Sequence, residues 1–215
     1  MLHELADQVM SLYGDVNRKV GEFTRTTGLS CPPGCGACCH SEKVEATVLE
    51  MLPLSFHLFQ TKQAELIIKR LERHPDNKQC IFFRPDFSQQ GKWGCTQYPY
   101  RSLVCRLFGF AGKRDRKGVP RFSKCRVMAH PATPPETDSI VLFSEAGMQL
   151  TALHPSLGTQ RLPINQAALQ ALYKVGMLLQ MDGAKNCPGR EEEQDNTRPP
   201  DKPSFPNCPI TRKAI

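Results

Sequence analysis

The chain has 215 residues, 40% hydrophobic and 23% charged, with 18 prolines and 15 glycines. That is the composition of a loop-rich globule and excludes a fully disordered or collagen-like chain. The formal charge of +7 favours anionic partners only weakly, and the longest apolar runs, such as Leu103 to Ala111 with Arg106 inside it, are far too short to span a membrane.

The first twenty residues carry Glu4, Asp7 and Asp15 and no apolar stretch ending in a small-residue cleavage site, so no secretory signal is expected. The expected compartment is the reducing cytoplasm, where ten cysteines serve as metal ligands or catalysts more readily than as structural bridges. Leu2, Leu5, Val9, Leu12 and Val16 recur at steps of three and four and predict an amphipathic helix over about 2–20 that packs on the core. Ser30 to His40, with two prolines and two glycines, reads as a loop.

Val44 to Val48 is expected as a strand. Thr47 and Glu50 have capping-box spacing, but Pro53 argues against a helix begun there, so a short helix is expected near 53–59 and a better one near 62–73. In the latter, Ala64, Ile67, Ile68 and Leu71 share a face while Lys62, Lys69 and Arg73 stay in water. Cys80 to Phe83 and Lys92 to Cys95 read as a β-hairpin, Pro99 as the start of a helical turn through Val104, and Arg106 to Phe110 as a further strand. A basic loop follows over Lys113 to Arg126, then a strand over Ser139 to Phe143 and a helix over Ile164 to Met181 that carries Leu169, Leu172, Val175, Met177, Leu178 and Leu179. Residues 184–215, polar and rich in proline, are expected to be disordered.

The expected fold is α+β, a small metal-nucleated domain of short helices and a small antiparallel sheet. It divides into an N-terminal helix over 1–29, a cysteine-cluster domain over 30–130, a C-terminal extension with one helix over 131–183 and the tail.

Eight of the ten cysteines lie between 31 and 125, spaced Cys31-x3-Cys35-x2-Cys38-Cys39, then Cys80, Cys95, Cys105 and Cys125. Short Cys-x2-Cys or Cys-x3-Cys steps on a Gly/Pro loop let two thiolates curl toward one cation, as zinc and iron–sulfur sites require. Neighbouring side chains point apart, so the Cys38-Cys39 pair favours two centres or one larger cluster. Thiolate softness leaves zinc, iron–sulfur or copper(I) and excludes magnesium and calcium. A loop this rich in Pro and Gly buries little apolar area, so ligation is expected to contribute to folding.

Residues 30–128 resemble the YkgJ-type cysteine-cluster family, described as a zinc- or iron-chelating domain with a CxxCxxCC signature. The resemblance lies in Cys31-Pro-Pro-Gly-Cys-Gly-Ala-Cys-Cys39, in Val44-Glu-Ala-Thr-Val-Leu-Glu50, and in Cys95-Thr-Gln-Tyr-Pro-Tyr-Arg101 followed by Cys105-Arg-Leu-Phe108. It implies that the metal ligands are Cys31, Cys35, Cys38, Cys39, Cys80, Cys95, Cys105 and Cys125, supported by Arg101 and Arg106. The chain has one residue more than the signature between Cys31 and Cys35, and Ser102 where the family commonly has proline.

The cofactor expected is therefore zinc or an iron–sulfur cluster, and the function a chelating, electron-transfer or accessory role. One alternative is a cluster-dependent redox or modifying enzyme, which the family's likeness to the cysteine-cluster region of flagellin lysine methylases suggests. The other is a zinc-stabilised nucleic-acid binder, resting on Lys113 to Arg121 beside Phe110 and Phe122. That run is read first as a solvated loop or hairpin tip. A protein partner is left open, and no membrane is expected. A radical S-adenosylmethionine loop is set aside because Ala37 replaces the usual aromatic residue and no repeated βα pattern accompanies it. His40 and His130 are read as ordinary histidines, and Cys187 and Cys208 as free thiols.

Overall fold

The computed structural model describes residues 1–32, 35–36, 38–39, 41–84 and 94–185. Cys187, Cys208, His40, Lys92, Trp93 and most of the expected tail lie outside the described residues. The chain divides into two units, Met1–Val175 and Gly176–Ile215, of which the second is described only through its helical start.

Helix α1, Leu2–Thr27, runs seven residues beyond the expected end because Phe23 and Thr27 continue the buried stripe of Leu5, Val9, Tyr13 and Val16. It stops at Gly28, whose φ of 68° is left-handed and whose N–H closes on the Thr24 carbonyl. Leu2 and Leu12 of the predicted stripe are only half-buried, and Tyr13 takes the central place.

Strand β1, Glu45–Thr47, passes directly into helix α2, Val48–Gln60, so the break expected at Pro53 does not occur. The Thr47 hydroxyl accepts from the Glu50 N–H, and the Glu50 carboxylate accepts from the Thr47 N–H at 2.6 Å, completing the capping box. Proline inside a helix costs about 3 kcal/mol. Here Val48 through Phe56 and Leu58 are all buried, and each deeply buried leucine contributes roughly 1.5–3 kcal/mol, which outweighs that cost. Helix α2 is accordingly the central element, packed by α1 and by α3, Ala64–Arg73. Ala64, Ile67 and Leu71 of α3 face inward as predicted, while Ile68 is half-buried.

Of the expected hairpin, the described residues form a two-residue antiparallel pair, β2 Phe83–Arg84 with β3 Gly94–Cys95. A 3-10 turn over Tyr98–Tyr100 precedes helix α4, Leu103–Leu107. The strand expected over Arg106–Phe110 is thus displaced: Leu103 and Leu107, one turn apart, are buried as a helical pair, and the strand begins later as β4, Ala111–Arg114. Strand β5, Pro120–Phe122, pairs with β4 antiparallel, making the basic run a hairpin. Strand β6, Val141–Leu142, joins the other edge of β4 in parallel, so this sheet is mixed.

Helices α5, Phe143–Leu153, and α6, Pro155–Gly158, lead to β7, Arg161–Pro163, which pairs antiparallel with β1. Helix α7, Ile164–Lys185, outruns the predicted Met181 and takes in the first two residues of the expected tail. Its buried face is Ala167, Ala168, Ala171, Leu172 and Val175; Met177 and Leu179, expected on the apolar face, are exposed. The whole is α+β, seven helices and three small sheets among the described residues.

Candidate metal centre

Four chain segments meet beside the first half of α2. The loop residues Cys35, Cys38 and Cys39, then Cys80 ahead of β2, Cys95 in β3 and Cys105 in α4 line one pocket, whose apolar wall includes Met51, Leu54 and Ile164. Cys31 is exposed and lies beside Cys35, with which it shares a thiol hydrogen bond; Cys125 lies outside the pocket but within electrostatic reach of Cys31. Six of the eight sequence-predicted sites are therefore brought to one cavity; Cys31 adjoins it through Cys35, and Cys125 lines a separate cleft. Among the described residues, no three His, Cys, Asp or Glu side chains are gathered closely enough to enclose an ion. His130 is exposed and has no place at the pocket.

Short turns shape the loop: Cys35 N–H donates to the Pro32 carbonyl and Cys39 N–H to the Gly36 carbonyl, each at 2.9 Å. Backbone N–H groups also point at sulfur. That of Phe82 donates to the Cys80 sulfur and that of Gln97 to the Cys95 sulfur, while the Phe83 N–H, also near the Cys80 sulfur, donates to the Cys80 carbonyl at 3.0 Å. Such donors favour the thiolate over the thiol. Burial opposes them, pushing the Cys80 thiol up to about 12, the Cys105 thiol up to about 11, and the Cys95 thiol up as well. Cys38 is the exception. The Cys39 S–H donates to it and holds its pKa below the ordinary thiol value, with Arg101 as a further positive influence, while Cys39 is correspondingly raised.

Arg101 lies with its guanidinium 3.5 Å from the Tyr98 ring centre, and donates to the carbonyls of Tyr98 and Cys105. Arg106 is buried, and its charge acts on Cys95 and Cys105, but its hydrogen bonds go elsewhere. It donates to the Arg101 carbonyl at 2.8 Å, to Asn17 Oδ1 at 3.0 Å and to the Pro99 carbonyl, and stacks on Tyr13. Arg106 thus fastens the turn that carries Arg101 to α1, so the two arginines act at different levels. Ser102, standing where the family commonly has proline, turns its hydroxyl onto Cys105 Sγ at 3.4 Å.

Two further groups position the cysteines and were not found from the sequence. The fully buried Glu50 reaches beyond its own helix and accepts from the Leu103 N–H at 2.8 Å, so a single carboxylate caps both α2 and α4. Asn165 at the start of α7 accepts from the Ile81 N–H at 2.9 Å and donates to the carbonyls of Asn77 and Gln79 at 2.7 and 2.8 Å. This holds the segment bearing Cys80. Glu50 is visible in sequence only as a local cap, and nothing near Asn165 signals contacts 84 or more residues away.

The pocket lining holds six cysteines and no His, Asp or Glu, a donor set that fits a soft or borderline cation, zinc or iron, and not magnesium or calcium. Residues 30–128 match the family model described as "CxxCxxCC: Putative zinc- or iron-chelating domain". No curated protein and no solved structure matches the chain.

Proposed function

We propose that Cys31, Cys35, Cys38, Cys39, Cys80, Cys95, Cys105 and Cys125 hold zinc or an iron–sulfur cluster, and that the chain is a metal-chelating, electron-transfer or accessory protein without turnover of its own. The observation that carries this reading is the gathering of six thiols from four separate segments on one pocket wall. Neutral thiols bury at little cost, but ionising several of them in one pocket is unfavourable unless a cation offsets their desolvation and mutual repulsion, so a cluster of this size suits a cation that takes thiolate ligands. The match of residues 30–128 supports the same metal class.

When bound, the metal would draw the thiols into thiolates and tie the 31–39 loop to β3 and α4. The chain's own groups supply the rest: N–H donors on sulfur, Arg101 as a nearby positive charge, and Asn165 and Glu50 as fasteners of the Cys80 and Cys105 segments. X-ray absorption at the metal edge of the purified protein tests the reading. An all-sulfur shell is expected, at about 2.3 Å if the metal is zinc; a shell dominated by nitrogen or oxygen would refute the ligand set.

A further inference from the structure

The chain's positive charge is not spread evenly. Residues 113–126 contain seven Lys or Arg and a single acid, Asp115, so this stretch holds +6 of the chain's +7. Three of the seven are engaged: Arg114 with Glu145, Arg121 with Asp115, and Lys124 with the Met128 carbonyl. Lys113, Arg116, Lys117 and Arg126 are exposed and make no side-chain hydrogen bond or ion pair among the described residues.

A cleft opens on the same face. Its lining includes Phe108, Val127 and Phe143, the cations Lys113 and Arg126, and Cys125; no Asp or Glu lines it. Phe108 and Val127 are 44% and 47% exposed, beside Leu107 and Gly112, which are buried. An apolar floor with an unopposed cationic rim complements a surface of opposite charge that carries an apolar side chain. A nucleic-acid backbone would satisfy the cations but leave Phe108 and Val127 in water.

We propose that this cleft and the β4–β5 hairpin dock an acidic protein segment that inserts an apolar side chain between Phe108 and Val127. The cleft reaches Cys125, one of the proposed ligands, so the docked segment sits at the margin of the metal centre. The biological meaning of that placement rests on the metal reading, but the docking itself does not. Lys113, Arg116, Lys117 and Arg126 steer and orient the partner, and the apolar insertion supplies selectivity.

The test uses the full chain and a labelled peptide rich in Glu and Asp with one central Phe, read by fluorescence anisotropy. The comparison probes are the same peptide with Ser for Phe, and a duplex DNA of arbitrary sequence. The Phe peptide is expected to bind about tenfold more tightly than the Ser peptide and than DNA. Raising salt from about 0.1 M to about 0.3 M should weaken it severalfold, since the Debye length then falls well below the ~10 Å it has at about 0.1 M. Lys113→Glu with Lys117→Glu should weaken it at least tenfold, and Phe108→Ser should erase the preference for the Phe peptide. Equal or tighter binding of DNA, no preference for Phe, or binding unmoved by these substitutions would overturn the proposal. Metal content is measured on the same preparations. Unchanged metal with lost peptide binding supports docking at this face, whereas wild-type protein that binds the peptide but carries no zinc or iron as purified without oxygen overturns the metal reading alone and leaves the docking proposal standing.

Discussion

Replacing Asn165 tests how the Cys80 segment is held. The side chain is 8% exposed, and its amide has one consistent orientation: Oδ1 on the Ile81 N–H, Nδ2 on the carbonyls of Asn77 and Gln79. Each such bond contributes about 0.5–1.5 kcal/mol net, so Asn165→Ala should cost roughly 2–4 kcal/mol in stability of the 77–81 segment. Asn165→Asp is the sharper probe, because it keeps size and shape. One oxygen still accepts from Ile81, but the other faces two carbonyl oxygens at the distances where the amide now donates. At neutral pH the aspartate should therefore be no better than alanine. It should partly recover when acid protonates the carboxyl, whose pKa those carbonyls raise above about 3.9. The assay is alkylation of Cys80 in metal-free protein, followed by mass spectrometry, with urea unfolding alongside. A loss of about 3 kcal/mol corresponds to labelling on the order of 100-fold faster if the segment opens locally. Wild-type labelling and urea midpoint for Asn165→Asp at pH 7 would refute the reasoning.

Other substitutions test neighbouring links. Arg106→Lys keeps the charge but cannot span Arg101, Asn17 and Pro99 from one planar group; it should cost about 2–4 kcal/mol by urea denaturation and reduce metal retention, and a cost under about 0.5 kcal/mol would count against the fastening role. Gly109 has a φ of +83°, and a Cβ there would sit 2.7 Å from the Cys125 Cβ and 3.1 Å from Met128 Cε. Gly109→Ala should therefore destabilise by roughly 2–4 kcal/mol and alter the environment of Cys125, visible as changed thiol reactivity. Burial holds Cys80 and Cys105 protonated well past neutrality, at about 12 and about 11, so a metal must displace their protons. Apparent affinity in chelator competition should rise with pH, by about 100-fold per unit between pH 6 and 8 if both thiols bind, and an affinity flat across that range would rule out their ligation.

Local signals carried much of the fold. The stripe from Leu5 to Val16 marks α1, and its continuation through Phe23 to Thr27 lay beyond the window in which the periodicity is densest. The Thr47 and Glu50 spacing marked the start of α2, yet the general rule against internal proline displaced the helix. That rule loses to burial on nearly all sides of α2, a tertiary fact no local pattern contains. Arg106 to Phe110 was misread because a five-residue apolar run does not distinguish strand from helix until Leu103 and Leu107 are seen buried together.

The cysteines were legible through number and spacing. Their arrangement was not, because Asn165, Glu50 and Tyr13 act over long sequence separations: Glu50 reaches Leu103, and the Tyr13 hydroxyl donates to the Glu50 carbonyl, which seats α1 on α2 below the pocket. Ser102 shows the limit of family comparison. The departure from the family's usual proline places a hydroxyl on Cys105 sulfur, a contact that the comparison of residues alone does not reveal.

The central claim is tested most directly by elemental analysis, with acid-labile sulfide and an absorption spectrum, on protein purified without oxygen. Wild type should be compared with Cys95→Ser and Cys105→Ser. The account predicts stoichiometric metal, either zinc without colour or iron with matching sulfide and a broad visible band, and loss of most of it in both variants. A wild-type protein free of zinc and iron, or metal content indifferent to both substitutions, would contradict it.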